Sequence, residues 1–156
     1  MQIVSTVSWY GATCLDGRYS RRHQWSFDGG LAVPASSAPT IVPEPYSDPA
    51  CLDPEEAVLA ALSSCHMMFF LHLASEEGVT ITAYQDDATA ALIDTQKSAR
   101  QIGDITLRPK VTTQTPLTEA AHMRLHDQAH AHCFIAASLT ATIDIQPTLI
   151  PCAIHV

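Results

Sequence analysis

The sequence predicts an α+β fold. Three observations carry that expectation: an N-terminal stretch of loosely alternating β-branched residues, a long apolar helix with a capped start at Asp53, and a downstream order of two strands, a helix and a strand. Residues 2–10 are extended by their alternation. Residues 18–27 alternate more strictly, which puts Tyr19, Arg21, His23, Trp25 and Phe27 on one face and Ser20, Arg22, Gln24 and Ser26 on the other. Asp28-Gly29-Gly30 is a hairpin turn, and a short strand over 31–33 follows it. The five prolines between residues 34 and 49 predict an extended loop without regular structure. At Asp53 three signals coincide: an N-cap residue, Pro54 at the first helical position, and Glu56 at the capping-box position. The helix is apolar almost all round, so it is expected to be central and buried, and Gly78 ends it. Residues 79–93 and 102–115 predict two strands joined near 97–100. A second helix over 118–137 and a closing strand over 139–145 complete the chain, with Pro147 and Pro151 interrupting the tail. The whole of 1–156 is expected to form a single domain: 1–52 N-terminal strands and Pro-rich loop, 53–77 central helix, 79–147 strands plus the second helix.

Composition narrows the function. Apolar residues make up 47% of the 156 residues and charged residues only 15%, against the ~25% charge of an ordinary soluble domain. A chain so poor in charge and normal in apolar content is expected to fold and to hide surface against a second copy of itself. The net charge of -8 argues against nucleic-acid partners and against docking on an anionic membrane. The uncharged run over 57–75 contains His66, His72 and several serines and is flanked by acidic residues. It therefore reads as a core helix and not as a membrane span. The first residues, MQIVSTVSWYG, lack the basic and apolar regions of a signal peptide, so a cytoplasmic location is expected.

The five cysteines stand at Cys14, Cys51, Cys65, Cys133 and Cys152, an odd and widely spaced set that excludes a disulfide scaffold. Cys65 falls in the middle of the first helix and Cys133 late in the second. Taken singly, a cysteine inside an apolar helix is most often a small core hydrophobe. Cys14, Cys51 and Cys152 lie in loops or the tail and are read as bystanders. His126, His130 and Cys133 are spaced four and three apart and so share a helix face, and His66 follows Cys65. If the helices meet, Cys65, His66, His130 and Cys133 are candidate metal or thiol ligands on a non-enzymatic scaffold. Their spacing matches no zinc signature, so neither metal nor cofactor is expected. Helical histidines more often cap carbonyls or face water, and His122 and His132 are expected to do so.

The stretch DPEEAVLAALSSCHMMFFLHLASEEG resembles the central helix of the OsmC/Ohr family of thiol-dependent hydroperoxide peroxidases. That family carries a Pro-Glu-Glu or Pro-Glu-Gln start, a run of small residues, and a reactive cysteine ten residues past the glutamate, the interval from Glu55 to Cys65 here. The likeness extends to the early strands and the final strand, and the segments YSRRHQWSFDGG, DPEEA, ALSSCHM and HCFIA are similar to a less-studied branch. The chain departs from the family where His66 replaces a usual Phe, where Phe134 replaces a usual Pro, and where His130 and His132 precede Cys133.

The resemblance implies Cys65 as the peroxidatic cysteine, Cys133 as the resolving one, and Glu55 as the active-site glutamate. The active-site arginine is Arg21 by the strand pattern, with Arg22 the alternative. His66, His130 and His126 are then candidate neighbours of the site. A peroxidatic cysteine must be a thiolate, and burial opposes that form, so a cation is needed beside it. Arg21 would supply one, with Glu55 orienting its guanidinium. The implied cycle oxidises Cys65 to a sulfenic acid and condenses it with Cys133 to a disulfide, which a lipoyl-type or other small dithiol reduces. Ten residues of straight helix separate Glu55 from Cys65 by ~15 Å. The family's intertwined homodimer resolves this by taking Arg and Glu from one subunit and both cysteines from the other. Apolar neighbours such as Met67, Met68, Phe69 and Phe70 suit an organic hydroperoxide better than hydrogen peroxide.

Overall fold

The structure, a computed structural model, describes residues 2–95 and 100–150. Cys152 and most of the turn expected near 97–100 lie outside the described residues; Arg100 opens a strand. The chain forms two compact units, Met1–Ala57 and Val58–Val156.

The first unit is built on a three-stranded antiparallel sheet in the order β1 (Ser5–Ser8), β2 (His23–Phe27) and β3 (Ala32–Ala35). Trp25 lies opposite Val7 on one side and Val33 on the other. The β2–β3 turn uses Gly30 at φ +84°, where its missing Cβ removes the steric cost, and its N–H bonds Phe27 O at 3.0 Å. β2 is shorter than the alternation of residues 18–27 predicts. The turn at Gly17 and the bond from Arg21 N–H to Tyr46 O, 2.8 Å, hold Tyr19 and Arg21 in a loop against the Pro-rich segment instead of in a ladder. That segment is ordered by backbone bonds at its ends. Ser36 N–H donates to Leu52 O at 3.0 Å, and the buried Ser36 hydroxyl accepts from Asp48 N–H at 3.1 Å. The capping box forms: Asp53 Oδ1 accepts Glu56 N–H at 2.8 Å, and Glu56 Oε2 accepts Asp53 N–H at 3.3 Å.

The helix opened by this box, α1, spans Pro54–Glu76. It ends in a Schellman motif in which Val79 N–H reaches Ala74 O at 2.9 Å and Gly78, at φ +72°, reaches Ser75 O at 3.0 Å. Within the second unit the helix buries one stripe, Leu62, Cys65, His66, Phe70 and Ala74, and leaves Met68 59% exposed. The all-round burial expected from its composition is therefore not reached in one copy of the chain. The two strands expected over 79–93 and 102–115 are four: β4 (Ile81–Asp86), β5 (Thr89–Asp94), β6 (Arg100–Leu107) and β7 (Pro109–Thr113). The closing strand is likewise two, β8 (Ile143–Ile145) and β9 (Thr148–Ile150). They form two sheets, ordered β4-β7-β9 and β5-β6-β8. Each is mixed rather than purely antiparallel, because β8 pairs parallel with β6 and β9 parallel with β7.

All three ribbons break at one level, near Asp87, Arg108 and Gln146-Pro147. Pro147 has no N–H to continue a ladder. Asp86 organises this level: Oδ1 accepts Arg108 N–H at 2.6 Å, and Oδ2 accepts the Ser63 hydroxyl of α1 at 2.5 Å. The carboxylate thereby ties the kinked ribbon to α1. Asp86→Ala leaves a backbone N–H and a hydroxyl without their acceptor and is expected to lower stability by about 2 kcal/mol in urea unfolding. A loss under ~0.5 kcal/mol would show that this carboxylate does not hold the kink.

Candidate active site

Cys65 and Cys133 lie in one buried cluster with Leu62, Ile105 and Leu107. Their exposures are 8% and 1%, and both thiols are free. The second helix expected over 118–137 brings Cys133 there by breaking. α2 spans Glu119–His132, with Thr118 Oγ1 accepting Ala121 N–H at 3.2 Å as its N-cap. A short α3 spans Phe134–Ser138, and Cys133 is the joint at φ -69°, ψ 111°. No Gly or Pro announces the break. Burial pushes the Cys133 thiol up, Ala136 N–H on its sulfur at 3.4 Å works against that rise, and the Cys65 thiol beside it adds to the rise. Two thiols in contact, one on α1 and one at the α2–α3 joint, can interconvert between a dithiol and a disulfide.

Three histidines fill the interior of the same unit. His66 and His122 are 0% exposed and His126 is 1% exposed. His66 Nε2 meets His126 Nδ1 at 2.9 Å, and His126 Nε2 meets His122 Nε2 at 3.1 Å. Phe70 stacks on His126 with centroids 4.2 Å apart. His122, expected to cap a carbonyl or face water, instead bonds a second buried imidazole. It is buried because its partner His126 offers a hydrogen bond that replaces water, while Phe70 packs against its ring. Burial, and then the charge of His130, pulls His66 down to about 4. Burial, then His122 and His66, pulls His126 down to about 3. Burial lowers His122 as well, opposed by Glu119. His130 is half-buried and His132 is exposed, its ring stacked on Phe69 at 6.0 Å. Among the described residues no three His, Cys, Asp or Glu side chains are grouped to hold a metal ion. The set Cys65, His66, His130 and Cys133 therefore does not assemble as ligands.

The first unit holds its own cavity of about 520 Å³, lined by Trp9, Tyr19, Arg21, His23, Ser36 and Glu55 among others. Arg21 Nη1 donates to Gly17 O at 2.6 Å and to Tyr19 O, and its guanidinium lies 3.6 Å over the Tyr19 ring. The rest of its fork has no partner among the described residues. Arg21 and Glu55 line one cavity without pairing. Arg22 points elsewhere, into an ion pair with Asp48 at 3.1 Å. His23, which the sequence reading did not single out, also lines the cavity. Its Nδ1–H donates to Arg21 O at 2.7 Å, and its Nε2 accepts from Trp25 Nε1–H at 2.8 Å. Its only sequence signal was a shared face with Arg21 and Trp25. Cys14 is exposed and Cys51 half-buried, and neither joins a cluster.

The chain thus combines an α+β fold with a buried pair of thiols in the second unit and an arginine- and glutamate-lined cavity in the first. The chain belongs to the OsmC-like protein family, whose model matches residues 47–148. It is similar to an OsmC-like protein of unknown function from Vibrio cholerae at 36% identity, TM-score 0.90, covering 94% of this chain and 99% of that one. It also shares its fold with an organic hydroperoxide resistance protein from Elizabethkingia anophelis, at 14% identity and TM-score 0.72, covering 97% of this chain and 96% of that one. A third neighbour is an organic hydroperoxide resistance protein from Bacillus subtilis, at 19% identity and TM-score 0.62, covering 94% of this chain and 98% of that one. No curated protein matches the chain in sequence.

The buried rings set a pH dependence. His66 and His126 titrate at about 4 and about 3 when folded, against 6.5 ordinarily, so between these values the unfolded chain binds more protons. Stability is therefore full above pH 6.5 and falls as pH drops toward the folded values, by up to ~1.4 kcal/mol per pH unit for each histidine. Urea midpoints across this window measure the fall. A flat profile would mean that the rings are not buried in neutral form.

Proposed function

We propose that the chain is a thiol peroxidase that reduces organic hydroperoxides, with Cys65 as nucleophile and Cys133 as resolving thiol. The carrying observation is the burial of these two free thiols in one cluster on α1 and at the α2–α3 joint. Family membership and fold neighbours named for organic hydroperoxide resistance support it. The Cys65 thiolate attacks the O–O bond, giving Cys65 sulfenic acid and, with one proton, an alcohol. The Cys133 thiol condenses with the sulfenic acid, forming the disulfide and releasing water. A small dithiol of lipoyl type then restores both thiols by exchange and is itself oxidised.

Arg21 is the arginine of this reading, because it shares a cavity with Glu55 whereas Arg22 is paired with Asp48. The working unit is a homodimer, in which Arg21 and Glu55 of one subunit serve the cysteines of the other. α1 is continuous from Pro54 to Glu76, so Glu55 does not fold back along its own helix to Cys65. The exposed face of α1 around Ala61, Ser64 and Met68 suits burial against a second copy. A cytoplasmic, reducing location fits a transient disulfide. Neither nucleic acid nor membrane is a partner in this reading.

One equivalent of an organic hydroperoxide added to the reduced protein is expected to remove two hydrogens, confined on digestion to a Cys65–Cys133 peptide pair. Cys65→Ser abolishes peroxide consumption, while Cys133→Ser accumulates a trapped sulfenate. Thiols left unchanged by peroxide would overturn the peroxidase reading. Arg21→Ala is expected to slow consumption by at least ~100-fold and Arg22→Ala to leave it nearly unchanged. The reverse pattern would move the arginine role to Arg22.

A further inference from the structure

We propose that His122, His126 and His66 form a proton relay through the interior of the second unit, ending one residue along α1 from Cys65. The three rings hold six nitrogens. Four are used in two ring-to-ring bonds of 2.9 and 3.1 Å. The two left over are the two ends of the chain, His66 Nδ1 and His122 Nδ1, and both are buried without a hydrogen-bond partner. The middle ring uses Nδ1 toward His66 and Nε2 toward His122, so the geometry is that of a wire and not of ligands converging on one ion.

A neutral imidazole carries one N–H and one lone pair. Three such rings in line have only two self-consistent proton arrangements. In the first, His122 Nε2–H donates to His126, His126 Nδ1–H donates to His66, and His66 Nδ1–H is the free end. In the second, every bond is reversed and His122 Nδ1–H is the free end. Passing from the first to the second takes one proton in at His122 Nδ1, shifts two along the bonds and gives one up from His66 Nδ1 to a water or substrate oxygen admitted beside it. Charge is unchanged, and the reverse passage restores the start.

The surroundings fit that role. Glu119, 68% exposed, places Oε1 3.8 Å from His122 Nδ1, just beyond hydrogen-bond length, so a small turn of this exposed side chain makes it the solvent-side proton acceptor and donor. From α2, His130 acts on His66 by its charge. From β4, Tyr84 lies 6.4 Å from His126 with its buried hydroxyl unpartnered, and Asp86 acts on Tyr84. On α1, Phe70 stacks on the middle ring and holds its plane. The peroxidase reading gives the relay a use, since forming a thiolate releases a proton and the departing alkoxide takes one up. The relay itself does not depend on peroxide turnover.

The test is long-range proton–nitrogen correlation on the full chain labelled with 15N-histidine, at neutral pH. The expected result is three neutral rings in the two matched tautomer sets, both populated. Glu119→Gln removes the carboxylate that favours N–H on His122 Nδ1, so it is expected to shift the ratio by about twofold or more toward the first set. His126→Gln is expected to slow solvent exchange of the His66 ring proton several-fold. One fixed set unmoved by Glu119→Gln, unmatched tautomers, or any of the three rings doubly protonated would overturn the relay. If His126→Gln does not fold, the exposed Glu119 position still decides. Because no arm reads peroxide consumption, the relay and the peroxidase reading fail separately.

Discussion

The polar groups on the packed face of α1 each need a partner from another element, and the second unit is arranged around supplying them. Ser63 donates to Asp86 of β4, His66 bonds His126 of α2, and Cys65 meets Cys133 at the α2–α3 joint. A buried polar atom left without a partner costs roughly 1–3 kcal/mol, which makes these pairings conditions on the fold and not additions to it. The Asp86 contacts also tie the β4–β5 and β6–β7 breaks to α1, so one carboxylate links the sheets to the helix that carries Cys65.

The same constraint explains the division of chemistry along the chain. The first unit carries cationic and anionic groups around a cavity, with Arg21 held at Nη1 by two carbonyls and stacked on Tyr19. The second carries the thiols in an apolar cluster. Burial alone disfavours a thiolate, as the raised Cys133 shows. The proposed dimer brings the cation and the thiols together from different subunits. It also accounts for a chain with 15% charged residues and an α1 whose apolar surface is only partly covered in one copy.

Legibility differed between features by the range of the interaction that makes them. The α1 start was readable because Asp53, Pro54 and Glu56 act within one turn, and its end because Gly78 does. The family and the approach of Cys65 to Cys133 were readable from a resemblance, not from geometry. The ribbon breaks were missed because residues 79–93 and 102–115 look continuous locally. Asp86 bends them through contacts with Ser63 and Arg108, both more than twenty positions away. The break at Cys133 was missed for a similar reason, since HAHCFIAAS is a plausible helix until burial of the thiol among Ile105 and Leu107 selects otherwise.

By itself the sequence determined the α+β class, the capped central helix and the candidate cysteines. Each follows from local geometry or from a motif read in order. Tertiary structure decided that His122 is buried rather than solvated, and that Arg21 rather than Arg22 lines the cavity with Glu55. It also decided that three histidines stand in line. A histidine's solvation and an arginine's direction depend on what packs against them from distant elements. The residue pattern of one helix face or one strand does not contain that information.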